Sequence, residues 1–542
     1  MRKSYTRLLL HSLTYMGLFL SFMSSCTKKT KSEKGKTLVF CPTGGPSAFN
    51  PQIVSDELSS TASSDVIFNR LVEFKEATTE IIPSLAERWE ISPDNLSYTF
   101  YLRKDVSFHK TEKFTPTRNF NADDVLFSFY RQMDSNHPYH KVSGGNYIYF
   151  NDMGLKDIIE SVTKKDDYTV AIKLKRSNAP FLANLAMHFM SIHSQEYADT
   201  LAKINSMETL DTHPVGTGPF TFQSYVKDSV IRYKANDSYF EGKPTVESLV
   251  FAITADNSVR YQKLKTGECH IITEPPITDL EAIRTNPALE LKEQESLSIG
   301  YMAFNTEKAP LNNLDFRKAV YHALNRNAYL SAVYLNNAVL AQNPYPPSIW
   351  GYNDAIVDYP YDVELAKSFL KKSGVSLPVD LTLWSMPVSR PYNPNGKKMA
   401  EMMQSDLSKI GINIKIETFD WPTYLSKSKK GEHQLLQIGW MGDNGDPDNF
   451  MQVLLSCEAI ASGSNMSRFC HEPLNSLLVQ AQTEPDVAKR ISLYRKAQEV
   501  FHEQIPFVPL AHGKKYRGIR KEIGNYIPSL FGERLLHKVT LP

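Results

Sequence analysis

Hydrophobic and polar residues alternate with a period of two in four short stretches: Lys36 to Cys41 (KTLVFC), Leu96 to Leu102 (LSYTFYL), Thr169 to Leu174 (TVAIKL) and Val230 to Lys234 (VIRYK). This period puts the apolar side chains on one face of a pleated ribbon, and the β-branched and aromatic residues suit that face, so each stretch is predicted to be a half-buried strand. Between them, helical patterns opened by Asp or Ser caps run over Ala122 to Met133, Asn257 to Thr266, Asn313 to Arg326 and Asn395 to Ile410. Strand and helix patterns alternate along the whole chain without an internal repeat. The expected class is α/β.

Two further runs, Ile412 to Glu417 (INIKIE) and Leu435 to Trp440 (LLQIGW), each follow a helical stretch and read as core strands of an α/β lobe. The turn after Trp440, MGDNGDPDNF, is dense in Gly, Pro, Asp and Asn. A loop at the carboxyl end of such a strand is where α/β sheets bind ligands.

The amino terminus has a different pattern. Arg2, Lys3 and Arg7 precede an apolar run from Leu8 to Met23, too short for a stable membrane span, which reads as a secretory signal over residues 1–25. Met23-Ser24-Ser25-Cys26 resembles a lipobox with Met in place of the usual Leu, so Cys26 is the expected lipidation site. The lysine-rich segment TKKTKSEKGK completes a polar tether over residues 26–36. About 500 residues then remain, more than one hydrophobic core serves, so at least two lobes are expected.

Charge excludes one class of partner. Lys and Arg number 61 against 59 Asp and Glu, and no basic run occurs beyond the tether, so no nucleic acid is expected. Five cysteines are an odd number for an exported chain; with Cys26 lipidated, Cys41, Cys269, Cys457 and Cys470 remain. Cys457 and Cys470 are close enough to close a short loop, but four cysteines allow three pairings and the sequence does not choose between them.

Reactive constellations are missing from the sequence. It has no HExxH, GxSxG elbow or CxxC. Gly216-Thr217-Gly218 is followed by Pro219, which has no amide to offer a phosphate, so it reads as a tight turn into a strand. Asp443, Asp446 and Asp448 lack EF-hand spacing. His109, His137, His140, His193, His433 and His471 have no i,i+4 partner on one helix. Neither a metal site, a cofactor nor an enzyme is expected. Trp384, Tyr392 and Trp440 flank charged residues near predicted strand ends, where their rings either line a pocket or pack in the core.

Several segments then carry a resemblance: LAERW (85–89) followed by SYTFYLRKDVSFH, NADDVLFSF, PVGTGPF, PYHKVSGGNY (138–147), SMPVSRPYNPN (385–395) and GWMGDNGDPDNF (439–450). Together they resemble the bacterial solute-binding proteins for peptides and nickel, the extracellular component of ABC importers, and within that family its dipeptide-binding and haem- or glutathione-binding branches. The resemblance implies two hinged lobes closing over a ligand: a large lobe of residues 36–295 plus 514–542, and a second lobe of residues 296–513. It also implies the pairings Cys41 with Cys269 and Cys457 with Cys470.

By the same resemblance, Asp443 holds a ligand's ammonium group and Arg390 its carboxylate, with Trp440, Tyr392, Trp384 and Tyr147 as further candidate contacts. The charges of a dipeptide zwitterion lie about 6–7 Å apart at roughly 3.5 Å per residue. A fixed anion and cation at that separation select length without reading side chains, and the guanidinium fork suits a carboxylate. The segment Glu57-Leu58-Ser59-Ser60-Thr61 departs from the GTTYD-like stretch of dipeptide binders, so contacts on that wall are expected to differ. The function expected is capture of dipeptides or short peptides in the periplasm by a membrane-anchored monomer that delivers to an ABC permease. Haem or glutathione binding, and a chemoreceptor or antimicrobial-peptide-sequestering role, are the alternatives.

Overall fold

The computed structural model describes residues 36–542. The signal segment, Cys26 and all of the tether except Lys36 lie outside the described residues.

One twelve-stranded sheet runs through the molecule. Its spine is the long strand Phe507–Arg520, whose first half pairs antiparallel with Ser298–Phe304 and whose second half pairs with Ile271–Thr273 and Leu289–Glu295. On one side the order continues through Leu435–Met441, Val379–Trp384 and Ile412–Glu417; on the other it continues through Thr37–Cys41, Ser248–Ala252, Val230–Ala235 and Phe220–Val226. A separate four-stranded sheet contains Ala86–Ile91, Ser97–Leu102, Thr169–Leu174 and Ile159–Asp166.

The apolar side chains form cores on either side of this spine. Leu71 to Val215 close one, and Leu38 to Phe68 join Phe220 to Phe251 and Ile519 to Val539 in another. Beyond the crossing, Leu297 to Ala511 supply two more. The molecule is therefore mixed α/β and two-lobed, with chain crossings at Glu295–Ser298 and within Phe507–Arg520.

Most predicted elements occur where the patterns place them, including Thr169–Leu174, Ala122–Met133 and Asn257–Thr266. Two details differ. The helix expected over Asn313 to Arg326 is two helices, Leu314–Ala323 and Arg326–Tyr334, because the Asn325 side chain accepts from the Ala328 amide and caps the second. The caps expected to be Asp or Ser are mostly Asn: Asn121, Asn313 and Asn395, with Asp256 at one. All four described cysteines are bonded, Cys41 to Cys269 and Cys457 to Cys470, at S–S distances of 1.99 and 2.04 Å. No helix among the described residues is long and apolar enough to cross a membrane.

Candidate functional site

A cavity of about 270 Å³ lies between the lobes. The second lobe contributes Met441, Gly442 and Asp443, the carboxyl end of Leu435–Met441 and the turn beyond it. The large lobe faces them with Tyr149, His188, Glu57, Lys515, Arg70 and Arg534 among others.

The acidic turn divides its aspartates by role. Asp446 is buried in a bidentate pair with Arg490 at 2.8 Å on both oxygens, and its Oδ1 also accepts the Asp448 amide at 2.9 Å. Asp448 receives the Gln482 amide at 3.4 Å. Both hold the turn in shape. Asp443 is the one left facing the cavity. Its backbone amide donates to Asn449 Oδ1 at 2.9 Å, and the same oxygen accepts Trp440 Nε1 at 3.4 Å. Trp440 thus braces the turn that presents Asp443.

The Asp443 carboxylate accepts the Tyr149 hydroxyl at 2.8 Å, the Asn449 side chain also bears on it, and no Lys or Arg among the described residues pairs with it. Burial pushes its pKa up to about 6, against the lowering effect of the Tyr149 and Asn449 contacts; nearby Asp152 adds to the rise. An acid held this way gains most from a cation that enters the cavity.

Tyr149 escaped the sequence reading, which carried Tyr147 instead. Tyr147 is 1% exposed, packs in the large-lobe core and donates to the His140 carbonyl at 2.9 Å. It precedes the helix Ile148–Asp152, and two residues further on, at about 100° per residue, Tyr149 points the other way. Its ring meets His188 edge-on at 4.9 Å and lies parallel to Phe189 at 5.8 Å. Tyr147 is therefore corrected to a core residue.

Arg390 lies outside this cavity. It is exposed, its guanidinium donates to the neighbouring Ser389 carbonyl at 3.3 Å, and it sits 5.6 Å from the Trp421 ring. Its turn is nevertheless fixed. Backbone bonds of 3.0 and 2.9 Å join Arg390 to Asn393, and three glycines on three neighbouring strands make room for the residues between. A Cβ at Gly300 would stand 2.2 Å from the Tyr392 carbonyl oxygen, one at Gly439 2.3 Å from its ring, and one at Gly513 2.7 Å from Pro391. Gly300 and Gly439 face each other directly across their ladder. Tyr392, 5% exposed, thus packs against the sheet between Arg390 and the strand Leu435–Met441.

Trp384 is also corrected. It is 4% exposed in the second-lobe core, edge-on to Phe419 at 4.8 Å, because it closes its strand against the helix Trp421–Lys429, whose Tyr424 donates to its carbonyl at 3.1 Å. On the large-lobe wall, Glu57 of the departing segment pairs with Lys515 at 2.8 Å on the spine strand. Arg70 and Arg534 both face Glu73, at 3.4 and 3.5 Å.

Residues 80–462 match the family described as bacterial extracellular solute-binding proteins, family 5 Middle. Over 510 residues the chain is 48% identical to the dipeptide-binding protein of Escherichia coli strain K12, covering 94% of this chain and 95% of that one. It is 45% identical over 518 residues to heme-binding protein A of Haemophilus influenzae, covering 96% and 94%. The solved structure of HbpA2 from Haemophilus parasuis superposes with a TM-score of 0.90 at 43% identity, over 93% of this chain and all of that one. The chain belongs to family 5 of the bacterial extracellular solute-binding proteins.

Proposed function

We propose that this protein captures dipeptides and similarly short peptides in the interlobe cavity and delivers them to an ABC permease. One observation carries the reading: Asp443 is a carboxylate at a cavity wall, held by the Tyr149 hydroxyl and the Asn449 side chain and without a paired cation among the described residues. A peptide's free ammonium group supplies that cation, in a charge-assisted contact of about 1.5–3 kcal/mol. Arg390, on the same lobe as Asp443, takes the peptide's carboxylate, and the lobes hinge about the crossings near Glu295–Ser298 and Gly513–Lys515. The seat of Tyr392 on Gly439 ties the Arg390 turn to the Asp443 strand and supports that role. The 48% identity to a dipeptide-binding protein supports the ligand class. The division into residues 36–295 plus 514–542 and residues 296–513 follows from the same hinge. Cys26 anchors the monomer to the membrane by lipid, with the tether spacing the lobes from its surface.

A second reading, haem capture, rests on Tyr149, Met187, His188 and Met441, which all line the cavity and include groups that ligate iron. At about 270 Å³ the cavity is below the ~300–1,000 Å³ usual for larger ligands, which favours the peptide. Thermal shift with dipeptides, their N-acetylated and C-amidated forms, glutathione and haemin separates the two. Free dipeptides are expected to raise the melting temperature and either blocking group to abolish the rise. A haemin Soret shift at one equivalent, with no response to any dipeptide, overturns the peptide reading in favour of haem.

A further inference from the structure

A second cavity, of about 190 Å³, lies on the other side of the short helix Glu57–Ala62. Glu57 and Ser60 of that helix face the interlobe cavity, whereas Leu58, Thr61 and Ala62 face this one; Glu57 borders both. Its floor is the large-lobe sheet. Ile231, Phe251 and Phe40 are direct cross-strand partners on three adjacent strands, so their side chains form one apolar row, with the two rings 4.7 Å apart. Phe40 is in turn opposite Ile271, and Thr273 two residues on shares the same face.

The polar groups around this floor are not equally engaged. Arg517, opposite Thr273 in the ladder, is taken by Glu533 at 2.5 Å, and the Tyr526 hydroxyl holds the second Glu533 oxygen at 2.8 Å. Glu57 is taken by Lys515 at 2.8 Å. Two groups are left over. Thr273, 7% exposed, has a buried hydroxyl with no hydrogen-bond partner, and the side chain of Glu274 makes no ion pair or hydrogen bond among the described residues. Both sit on backbone fixed from behind by the fully buried Arg260, which donates to the Thr273 carbonyl at 2.9 Å and the Glu274 carbonyl at 3.0 Å.

An apolar floor ending in an unsatisfied hydroxyl and an exposed carboxylate, whose cationic neighbour Arg260 is bonded to backbone carbonyls, matches one chemistry: an aliphatic stem with a cationic nitrogen head. We infer that this cavity is a separate binding site for an alkylammonium or alkylguanidinium group, with Glu274 and Thr273 receiving the head and Phe40, Phe251 and Ile231 the stem. The volume equals about six waters at about 30 Å³ each, enough for a short stem and its head. Such a group comes either from a free amine or from a basic peptide side chain.

Calorimetry on the full mature protein tests this with n-pentylammonium and agmatine against 1-pentanol, and with Ala-Lys against Ala-norleucine. The cations are expected to bind at least tenfold more tightly than pentanol. Glu274→Gln, at an exposed position, and Thr273→Val are each expected to weaken them about tenfold, and Ala62→Leu to exclude them. Preference for Ala-Lys without binding of free amines, lost in Glu274→Gln, assigns the site to a peptide side chain. Binding by neither source, or binding that Glu274→Gln and Ala62→Leu leave intact, overturns the inference.

Discussion

The Tyr149 hydroxyl, on the large lobe, donates to Asp443 Oδ1, on the second lobe, at 2.8 Å. It is a contact across the cleft, made by the carboxylate proposed to meet the ligand. Tyr149→Phe removes the donor and leaves the ring. A hydrogen bond to a charged group contributes about 1.5–3 kcal/mol, so peptide affinity is expected to fall roughly tenfold in calorimetry, with a melting temperature close to that of the wild type.

Asp443 also sets a pH dependence. Its pKa is about 6 in the folded chain against a reference of 3.8, so between those values the folded state holds the extra proton. The ligand-free protein therefore loses stability as pH rises from about 4 through 6, and Asp443→Asn removes that loss: the variant is expected to melt higher than the wild type at pH 7.5. Peptide binding runs the other way. An ammonium group needs the ionised acid, so wild-type affinity is expected to fall below about pH 6, by up to tenfold per unit. Calorimetry from pH 4.5 to 8 with both proteins reads the two effects.

The glycine seat of the Arg390 turn is sharp enough to break. Gly439→Ala places a methyl 2.3 Å from the Tyr392 ring. Overpacking of this kind costs about 1–3 kcal/mol, read as a lower midpoint in urea unfolding. Because Tyr392 adjoins Arg390, C-amidated and free peptides are expected to bind the variant with nearly equal, weakened affinity.

The bond between Cys457 and Cys470 closes a short loop away from the cavity. Replacing both by Ser is expected to cost about 3 kcal/mol of stability in denaturant unfolding and to leave peptide affinity within twofold of wild type.

Regular elements were legible because their periods are local. The TVAIKL and ADDVLFSFYRQM patterns become a strand and a helix at the expected residues. The Gly- and Asp-rich turn was legible as a loop at a strand end, whereas Asp443 within it was singled out by the family resemblance and not by the pattern. Tyr147 and Tyr149 show where legibility stops: both are tyrosines in one short segment, and only the phase of the helix decides which faces the cleft. Trp384 was ambiguous for a similar reason, because a ring at a strand end packs inward or outward according to the helix laid over it. The Glu57–Lys515 pair joins residues 458 positions apart, and no pattern along the chain announces it.

The central claim is that Asp443 receives a free amino terminus. Isothermal titration of Ala-Ala and N-acetyl-Ala-Ala into the wild type and Asp443→Asn at pH 7.5 tests it most directly. The wild type is expected to bind Ala-Ala with about micromolar affinity, some 8 kcal/mol, and to lose at least tenfold on acetylation. Asp443→Asn is expected to bind both peptides weakly and alike. Equal binding of the two peptides by the wild type, or unchanged Ala-Ala affinity in Asp443→Asn, contradicts the claim.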